Sequence, residues 1–214
     1  MYVPSQFSES RPEVLKDLIK SYPFGVLVTN GESGLDANHI PFEIVDGGEL
    51  GVLTAHVARA NPVWQDVKNG DEVLVVFRAA ESYISPTWYP SKHEFHKQVP
   101  TWNYIVAHAH GRITIHDDER YVRSVVARLT RTHEASMPKP WKMTDSPADY
   151  IDTMLKAIVG IEIEVTHLVG ANKLSQHKDV RDVRSVGEIL AKRGSHILGE
   201  ATLRAADEKE QTQP

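Results

Sequence analysis

Four polar residues at the end of one predicted strand could hold a phosphate group. The segment LTAHVARANP (residues 53–62) places Thr54, His56, Arg59 and Asn61 close together in the chain. An arginine fork fits a phosphate bidentately, and hydroxyls, amides and turn N–H groups can complete the cradle. A capped turn that carries one surface arginine has the same composition. The spacing alone leaves both interpretations open.

A second polar cluster follows the last predicted strand. The segment GANKLSQH (residues 170–177) contains Lys173, Ser175 and Gln176 directly after a buried stretch. These side chains could bond a ligand, but an ordinary solvated loop has the same pattern. Here too the sequence alone does not distinguish a ligand-binding site from a solvated loop.

A segment rich in aromatic residues and proline lies between these clusters. Its Trp, Tyr and Pro residues are Tyr83, Trp88, Tyr89, Trp102, Pro86, Pro90 and Pro100. Each proline removes a ladder donor, which disfavours a core strand, and a disordered linker would not carry so many aromatic residues. We predict an ordered loop over residues 82–98 and a strand from about Val99. Such a loop offers flat faces to a protein interface or a planar ligand.

The histidines raise the possibility of a metal site. His108 and His110 share one face of a predicted strand, and His93 and His96 precede it. The sequence has no cysteine and no HExxH motif, so we predict no metal site. The GxSxG, GxGxxG and P-loop motifs are missing as well, and the sequence therefore assigns no catalytic residue.

The composition is that of an ordinary globular domain. The chain has 214 residues, with 24 Lys and Arg against 29 Asp and Glu, which gives a net charge of −5. This balance argues against non-specific binding to nucleic acid or to an anionic membrane. No apolar run is long enough for a membrane span and the first residues do not resemble a signal peptide. We expect a cytoplasmic protein that does not bind membranes.

Apolar periodicity and turn residues place the elements. Predicted helices cover residues 12–20, 63–70, 118–133, 147–156 and 179–193. Predicted strands cover residues 24–30, 36–45, 50–56, 72–77, 101–116 and 158–169. Hairpin turns dominate the first half, so we expect antiparallel pairing. The predicted class is α+β, with a barrel or sandwich and peripheral helices.

Nine short segments together resemble the PaiB-type FMN-binding transcriptional regulators, within the split-barrel flavin-binding superfamily. They are MYVPSQF (1–7), DANHIPF (36–42), LTAHVARANP (53–62), YISPTWYPSK (83–92), VPTWNY (99–104), LTRTHE (129–134), PWKM (140–143), IVGIEIEVT (158–166) and KLSQ (173–176). The resemblance implies an antiparallel split β-barrel with peripheral helices over residues 1–170. A C-terminal loop and helix would cover 171–204 and a disordered tail 205–214.

The resemblance also implies FMN, held between the two subunits of a homodimer. The residues expected to face the FMN phosphate are Thr54, His56, Arg59 and Asn61. Those expected along the ring edge are Asn38, His39 and Ile40. Trp88 or Trp102 would cover the ring, and Lys173 and Gln176 would complete the site. A phosphate cradle, a flat aromatic wall and a few polar groups are what a flavin site requires.

The resemblance implies a negative transcriptional regulator, but the sequence shows no clear helix-turn-helix. Its best candidate for DNA contact is the basic stretch 173–193, which includes Lys178, Arg181 and Arg184. An FMN-dependent oxidoreductase of the flavin reductase kind is the first alternative, and a haem-binding split barrel is the second. Only the oxidoreductase reading would make the protein an enzyme.

Overall fold

The computed structural model describes residues 1–32 and 34–212, and their fold is α+β. The α-helices within these ranges are α1 (Pro12–Ser21), α2 (Val63–Asp66), α3 (Pro90–Phe95), α4 (Glu119–Glu134), α5 (Ala148–Lys156), α6 (Val180–Lys192) and α7 (His196–Thr212). The strands are β1 (Ser8–Glu9), β2 (Phe24–Gly31), β3 (Gly34–Pro41), β4 (Glu43–Val45), β5 (Val52–Ala58), β6 (Glu72–Ile84), β7 (Thr101–His116) and β8 (Ile158–Lys173). None of these helices is both long and apolar enough to cross a membrane.

The described strands form one sheet in the order β3-β2-β6-β7-β8-β5-β4, with β1 paired to β8. The β2–β3, β2–β6, β4–β5, β5–β8 and β1–β8 pairs are antiparallel. In β5 the alternating residues Leu53, Ala55 and Val57 are buried, as a period of two requires. The predicted antiparallel arrangement is therefore confirmed.

The chain divides into two compact units, and the predicted boundary at residue 170 does not separate them. One unit comprises residues 1–21, 78–108 and 169–214, and the other comprises 22–77 and 109–168. Because β6, β7 and β8 are long, each contributes residues to both units. The C-terminal stretch packs with the N-terminal segment rather than standing as a separate appendage.

The tail that we expected to be disordered from residue 205 is instead part of α7 as far as Thr212. Helices α6 and α7 approach closely because Gly187 and Gly199 face each other: a Cβ on Gly199 would lie 3.0 Å from the Gly187 carbonyl oxygen. Lys209 donates to the carbonyls of Gln176 and Lys178, which ties the helix end to the preceding loop. The rest of the predicted tail, residues 213–214, lies outside the described residues.

The aromatic segment is ordered, as predicted, but its boundaries differ. Strand β6 continues to Ile84, a 3-10 turn follows at Pro86–Trp88, and Pro90 opens α3. Strand β7 begins at Thr101 rather than near Val99. Tyr89 is fully buried in a cluster with Ile84 and residues of α6 and α7, which explains the order of this segment.

Candidate functional site

An amide pair joins β3 to the loop after β5. Asn61 Nδ2 donates to Asn38 Oδ1 at 2.7 Å, although the two residues are 23 positions apart. The Oδ1 atom of Asn61 accepts from the backbone N–H of Val63, the first residue of α2, at 3.0 Å. The other end of Asn38 donates to Asp36 at 2.7 Å. The structure therefore brings together one predicted ring contact and one predicted phosphate contact.

Both amides keep hydrogen-bonding capacity. Each side-chain amide carries two N–H groups, and in the described residues Asn38 and Asn61 each use one of them. Both residues are half-buried, so a ligand can reach them without disturbing the core. This pair can bond the oxygen atoms of a ligand.

Arg59 lies in the same loop, but most of its donors are already bonded. Its guanidinium forms a bidentate ion pair with Asp117, and its Nε donates to the Lys156 carbonyl at 2.7 Å. A longer bond of 3.4 Å reaches the Ile158 carbonyl. Of the five guanidinium N–H groups, one on Nη1 is left over among these contacts. A phosphate would meet an arginine that is held in place by a competing carboxylate.

Thr54 does not lie with this pair. It is almost fully buried on β5, where its hydroxyl accepts from Arg128 Nη2 of α4 at 3.3 Å. Arg128 is also paired with Glu43 at 3.0 Å. This hydroxyl therefore supports the packing of α4 on the sheet, which weakens the predicted phosphate role.

His56 follows Thr54 on the same face of β5, opposite Gly160 of β8. Its Nδ1 is buried without a hydrogen-bond partner among the described residues. Burial lowers the pKa of this imidazole, because the charged form would lose its hydration. His56 is therefore neutral near pH 7, with one ring nitrogen unsatisfied.

The other two predicted ring-edge residues, His39 and Ile40, point to opposite faces of β3. The His39 side chain is exposed, and its ring lies 6.2 Å from that of Phe24. Ile40 is buried in the core, so it shapes the strand and offers little surface to a ligand. Of these two, His39 is the accessible one.

The KLSQ segment forms a network in the other unit. Lys173 Nζ donates to Thr101 Oγ1 at 2.6 Å and lies 6.0 Å from the centre of the Tyr104 ring. Burial lowers the pKa of this lysine. Gln176 uses both ends of its amide within its own loop, at Leu174 N and Asn172 O. Lys173 is thus the more available of the two predicted contacts.

Ser175, named in the sequence analysis as a side chain that could bond a ligand, has a structural role. It is fully buried with φ near 64°, in the left-handed region that non-glycine residues rarely adopt. Its hydroxyl exchanges bonds with Asn103 and lies 3.3 Å from the Tyr89 hydroxyl. The strand-to-loop turn is fixed by these contacts, and no motif predicts them.

The two tryptophans proposed as ring covers have different surroundings. Trp88 packs against the core cluster of its unit, with the Arg193 guanidinium 5.0 Å from its ring centre. Trp102 is 54% exposed, and its ring meets that of Tyr83 edge-on at 6.1 Å. Of these two tryptophans, Trp102 is the one with a free aromatic surface.

The predicted DNA-contacting arginines of α6 are ion-paired. Arg181 forms a bidentate pair with Glu94, with both bonds at 2.6 Å. Arg184 bonds Asp207 at 2.9 Å and Glu210 at 2.7 Å. These contacts neutralise the charge that a phosphate backbone would need. Within residues 1–32 and 34–212, no three His, Asp or Glu side chains converge as metal ligands.

Comparison with known proteins identifies the family. A family model described as "Putative FMN-binding domain" matches residues 1–167. The chain is 34% identical to an uncharacterized protein of Emericella nidulans over 82% of this chain and 84% of that one. It is 28% identical to the protease synthase and sporulation protein PAI 2 of Bacillus subtilis, over 89% of each chain.

The fold also has solved counterparts. The structure of an FAD and heme binding protein from Mycobacterium smegmatis aligns with a TM-score of 0.52 at 14% identity, covering 78% of this chain and 73% of that one. At this identity the likeness concerns the fold alone, and it agrees with the predicted split barrel. The match over residues 1–167 and the two relatives together confirm the predicted resemblance: the chain belongs to the family described as putative FMN-binding domain.

Proposed function

We propose that this protein is an FMN-binding homodimer that acts as a negative transcriptional regulator of the PaiB type. The observation that supports the regulatory part is the likeness to PAI 2, whose name refers to protease synthesis and sporulation, over 89% of both chains. The flavin part rests on the family and on the polar groups around the Asn38–Asn61 pair.

The flavin contacts that we propose are Asn38 and His39 at the ring edge and Asn61 beside the phosphate. Their donors match the chemistry of FMN, whose ring and phosphate present several acceptor oxygens and nitrogens. Arg59, two residues before Asn61, has one N–H group left for the phosphate, while Asp117 occupies the rest of its fork. When bound, FMN would supply one- or two-electron redox chemistry, while these residues bind and orient it.

A flavin titration tests this assignment. Purified protein, stripped of cofactor by mild denaturation and refolding, should quench FMN fluorescence and give the shifted absorbance bands of a bound flavin. A Soret band in the protein as purified, with no flavin bands, would instead favour the haem-binding alternative.

The aromatic surface of β6 and β7 supports the homodimer. Tyr83 and Trp102 are both about half exposed and touch each other, and Val99 nearby is 70% exposed. Exposed apolar clusters of this kind mark interaction surfaces, and Trp and Tyr are enriched at interface hot spots. A second copy of the chain is the partner that the family resemblance implies.

Light scattering at micromolar concentration tests the dimer. The expected mass is twice the 24.0 kDa of one chain. Trp102→Ser, which removes the largest exposed ring, should shift the protein toward monomer, whereas Tyr2→Ser at an exposed terminal position should not. A wild-type monomer at this concentration would refute the proposal.

The second candidate is an FMN-dependent oxidoreductase, and the ion-paired arginines of α6 favour it. If α6 offers DNA no free charge, one route to direct repression is closed. Steady oxidation of NADH or NADPH by the FMN-loaded protein, with oxygen or an added electron acceptor, would favour the enzyme. Promoter binding without such turnover would favour the regulator.

A further inference from the structure

A groove on α4 lies apart from the flavin contacts proposed above. It runs between the C-terminal half of α4 and residues 140–144, which fold back along that helix, and its volume is about 490 Å³. That volume is in the range of small-molecule sites. The walls are mostly apolar and include Ala127, Pro140, Trp141 and Met143. Two of the segments that carry the family resemblance, LTRTHE and PWKM, supply much of this lining, yet the flavin contacts use neither.

Hydrogen bonds and packing hold the wall of the groove in place. The backbone N–H of Trp141 donates to Glu134 Oε2 at 2.8 Å, and that of Lys142 donates to Asp145 Oδ2 at 3.0 Å. Met143 packs against a buried cluster that includes Val122 and Leu155. The wall is therefore fixed on both sides of the indole, so a ligand would not have to order it.

The aromatic face of the groove is left open. Trp141 is 40% exposed even though its backbone is anchored. An indole held in this way at an apolar groove offers a stacking surface to a flat ring. The shape and composition therefore suit a planar aromatic body.

The charge at the rim selects an anion. Arg131 and Lys142 line the groove, and neither forms an ion pair with another described residue in the structure. The one acid in the lining, Glu134, has a carboxylate oxygen turned to the Trp141 backbone. The carbonyl end of α4 carries partial negative charge, which two cations at the rim outweigh. A carboxylate would find two cationic donors here, whereas an ammonium group would find only the Glu134 carboxylate and would be repelled by both cations.

We propose that this groove binds a small planar aromatic acid, with its ring on Trp141 and its carboxylate at Arg131 and Lys142. Nothing in this proposal depends on the flavin contacts or on the regulatory role. It adds to an FMN-binding protein a separate site through which an aromatic metabolite could be sensed.

Calorimetric titration of the FMN-loaded protein with 2-naphthoate tests the proposal, since loading occupies the flavin site. The expected dissociation constant is about 1 mM or tighter for a ligand of this size. The neutral amide, 2-naphthamide, should bind at least about tenfold more weakly, because it lacks the charge that the two cations recognise. Equal affinities for acid and amide, or no heat of binding with the acid, would overturn the proposal.

A charge-matched pair of variants locates the site. Arg131→Gln/Lys142→Gln should weaken 2-naphthoate at least about tenfold and leave FMN binding unchanged. The control Arg120→Gln/Lys139→Gln removes the same charge from exposed residues outside the groove and should bind 2-naphthoate like the wild type. An equal loss of 2-naphthoate affinity in the two double variants would show that the net charge of the protein, and not this groove, attracts the acid. If Trp141→Leu turns a dimer into a monomer, the groove is a subunit interface and the proposal is wrong.

Discussion

Arg59 and Asp117 hold each other in a bidentate pair, and this contact decides how a phosphate could be bound. The pair raises the pKa of Arg59 and lowers that of Asp117, so both are charged at neutral pH. Because the carboxylate occupies the arginine fork, a flavin phosphate must compete for it. In the proposed site, the affinity for FMN should therefore depend partly on Asp117.

Asp117→Asn should tighten FMN binding by about tenfold, since an amide competes less well than a carboxylate for the guanidinium. Riboflavin lacks the phosphate, so its affinity should stay the same. Flavin fluorescence quenching measures both constants. The companion variant Arg59→Ala should weaken FMN more than riboflavin. If the affinities for FMN and riboflavin change equally in both variants, Arg59 supports the fold and does not bind the phosphate.

His56 should make the protein sensitive to acid. Its pKa is lowered in the folded state, so below about pH 6.5 the unfolded chain binds more protons than the folded one. Folding stability should therefore fall as the pH drops from about 6.5. Burial also lowers the pKa values of His110 and His177, which adds to the same pH dependence.

His56→Gln should reduce the loss of folding stability at low pH. Urea unfolding at pH 7.5 and pH 5.5 should show a smaller difference in unfolding free energy for the variant than for the wild type. At pH 7.5 and above the imidazole is neutral in both states, so no pH dependence from this residue is expected there. A variant with the full wild-type pH dependence would show that His56 is not the source.

At the level of elements, one lysine helps to hold the C-terminal helix to its unit. Lys209 of α7 bonds the carbonyls of Gln176 and Lys178. Lys209→Met should lower the unfolding free energy by about 1.5–3 kcal/mol, as expected for hydrogen bonds to a charged group. Lys192→Met, at an exposed position near the end of α6, is the matched control. Equal, small effects in chemical denaturation would mean that α7 is not anchored there.

The arginines of α6 should not mediate DNA binding. Each phosphate contact contributes about one unit to the slope of log K against log salt, and both Arg181 and Arg184 are already paired with acids. If the protein binds a promoter duplex, Arg181→Ala/Arg184→Ala should leave this slope unchanged. A clearly reduced slope would show that the ion pairs open and that α6 contacts DNA.

The sequence predicts elements well where one periodic pattern dominates. Strand β5 buries Leu53, Ala55 and Val57 at a period of two, and α4 begins at Glu119, one residue after the predicted start. Helix α7 was missed because its buried face consists largely of small residues such as Gly199, Ala201 and Ala206, which hydropathy does not mark. The end of β6 was missed because exposed polar residues such as Arg78 and Glu81 interrupt the apolar run.

The candidate site was harder to predict than the elements. Sequence position suggested that Thr54, His56, Arg59 and Asn61 act together, but successive residues of a strand and a loop point in different directions. In the structure, side-chain hydrogen bonds link Asn61 to Asn38, Arg59 to Asp117 and Thr54 to Arg128. These partners lie 23, 58 and 74 positions away, and no spacing rule reveals them.

At the scale of the whole molecule, the chain combines the family's FMN-binding domain with a net negative charge and with ion-paired arginines on α6. A net charge of −5 disfavours non-specific binding to nucleic acid. The proposed function depends first on where the flavin binds.

Titration of FMN into wild type, Asn38→Ala and the control Asn30→Ala tests that point most directly. Asn38 contacts Asn61, whereas Asn30 is exposed on the neighbouring strand. The account predicts equimolar FMN binding by wild type and Asn30→Ala, and affinity about tenfold weaker for Asn38→Ala. Wild-type affinity in Asn38→Ala, or no FMN binding by any of the three proteins, would contradict it.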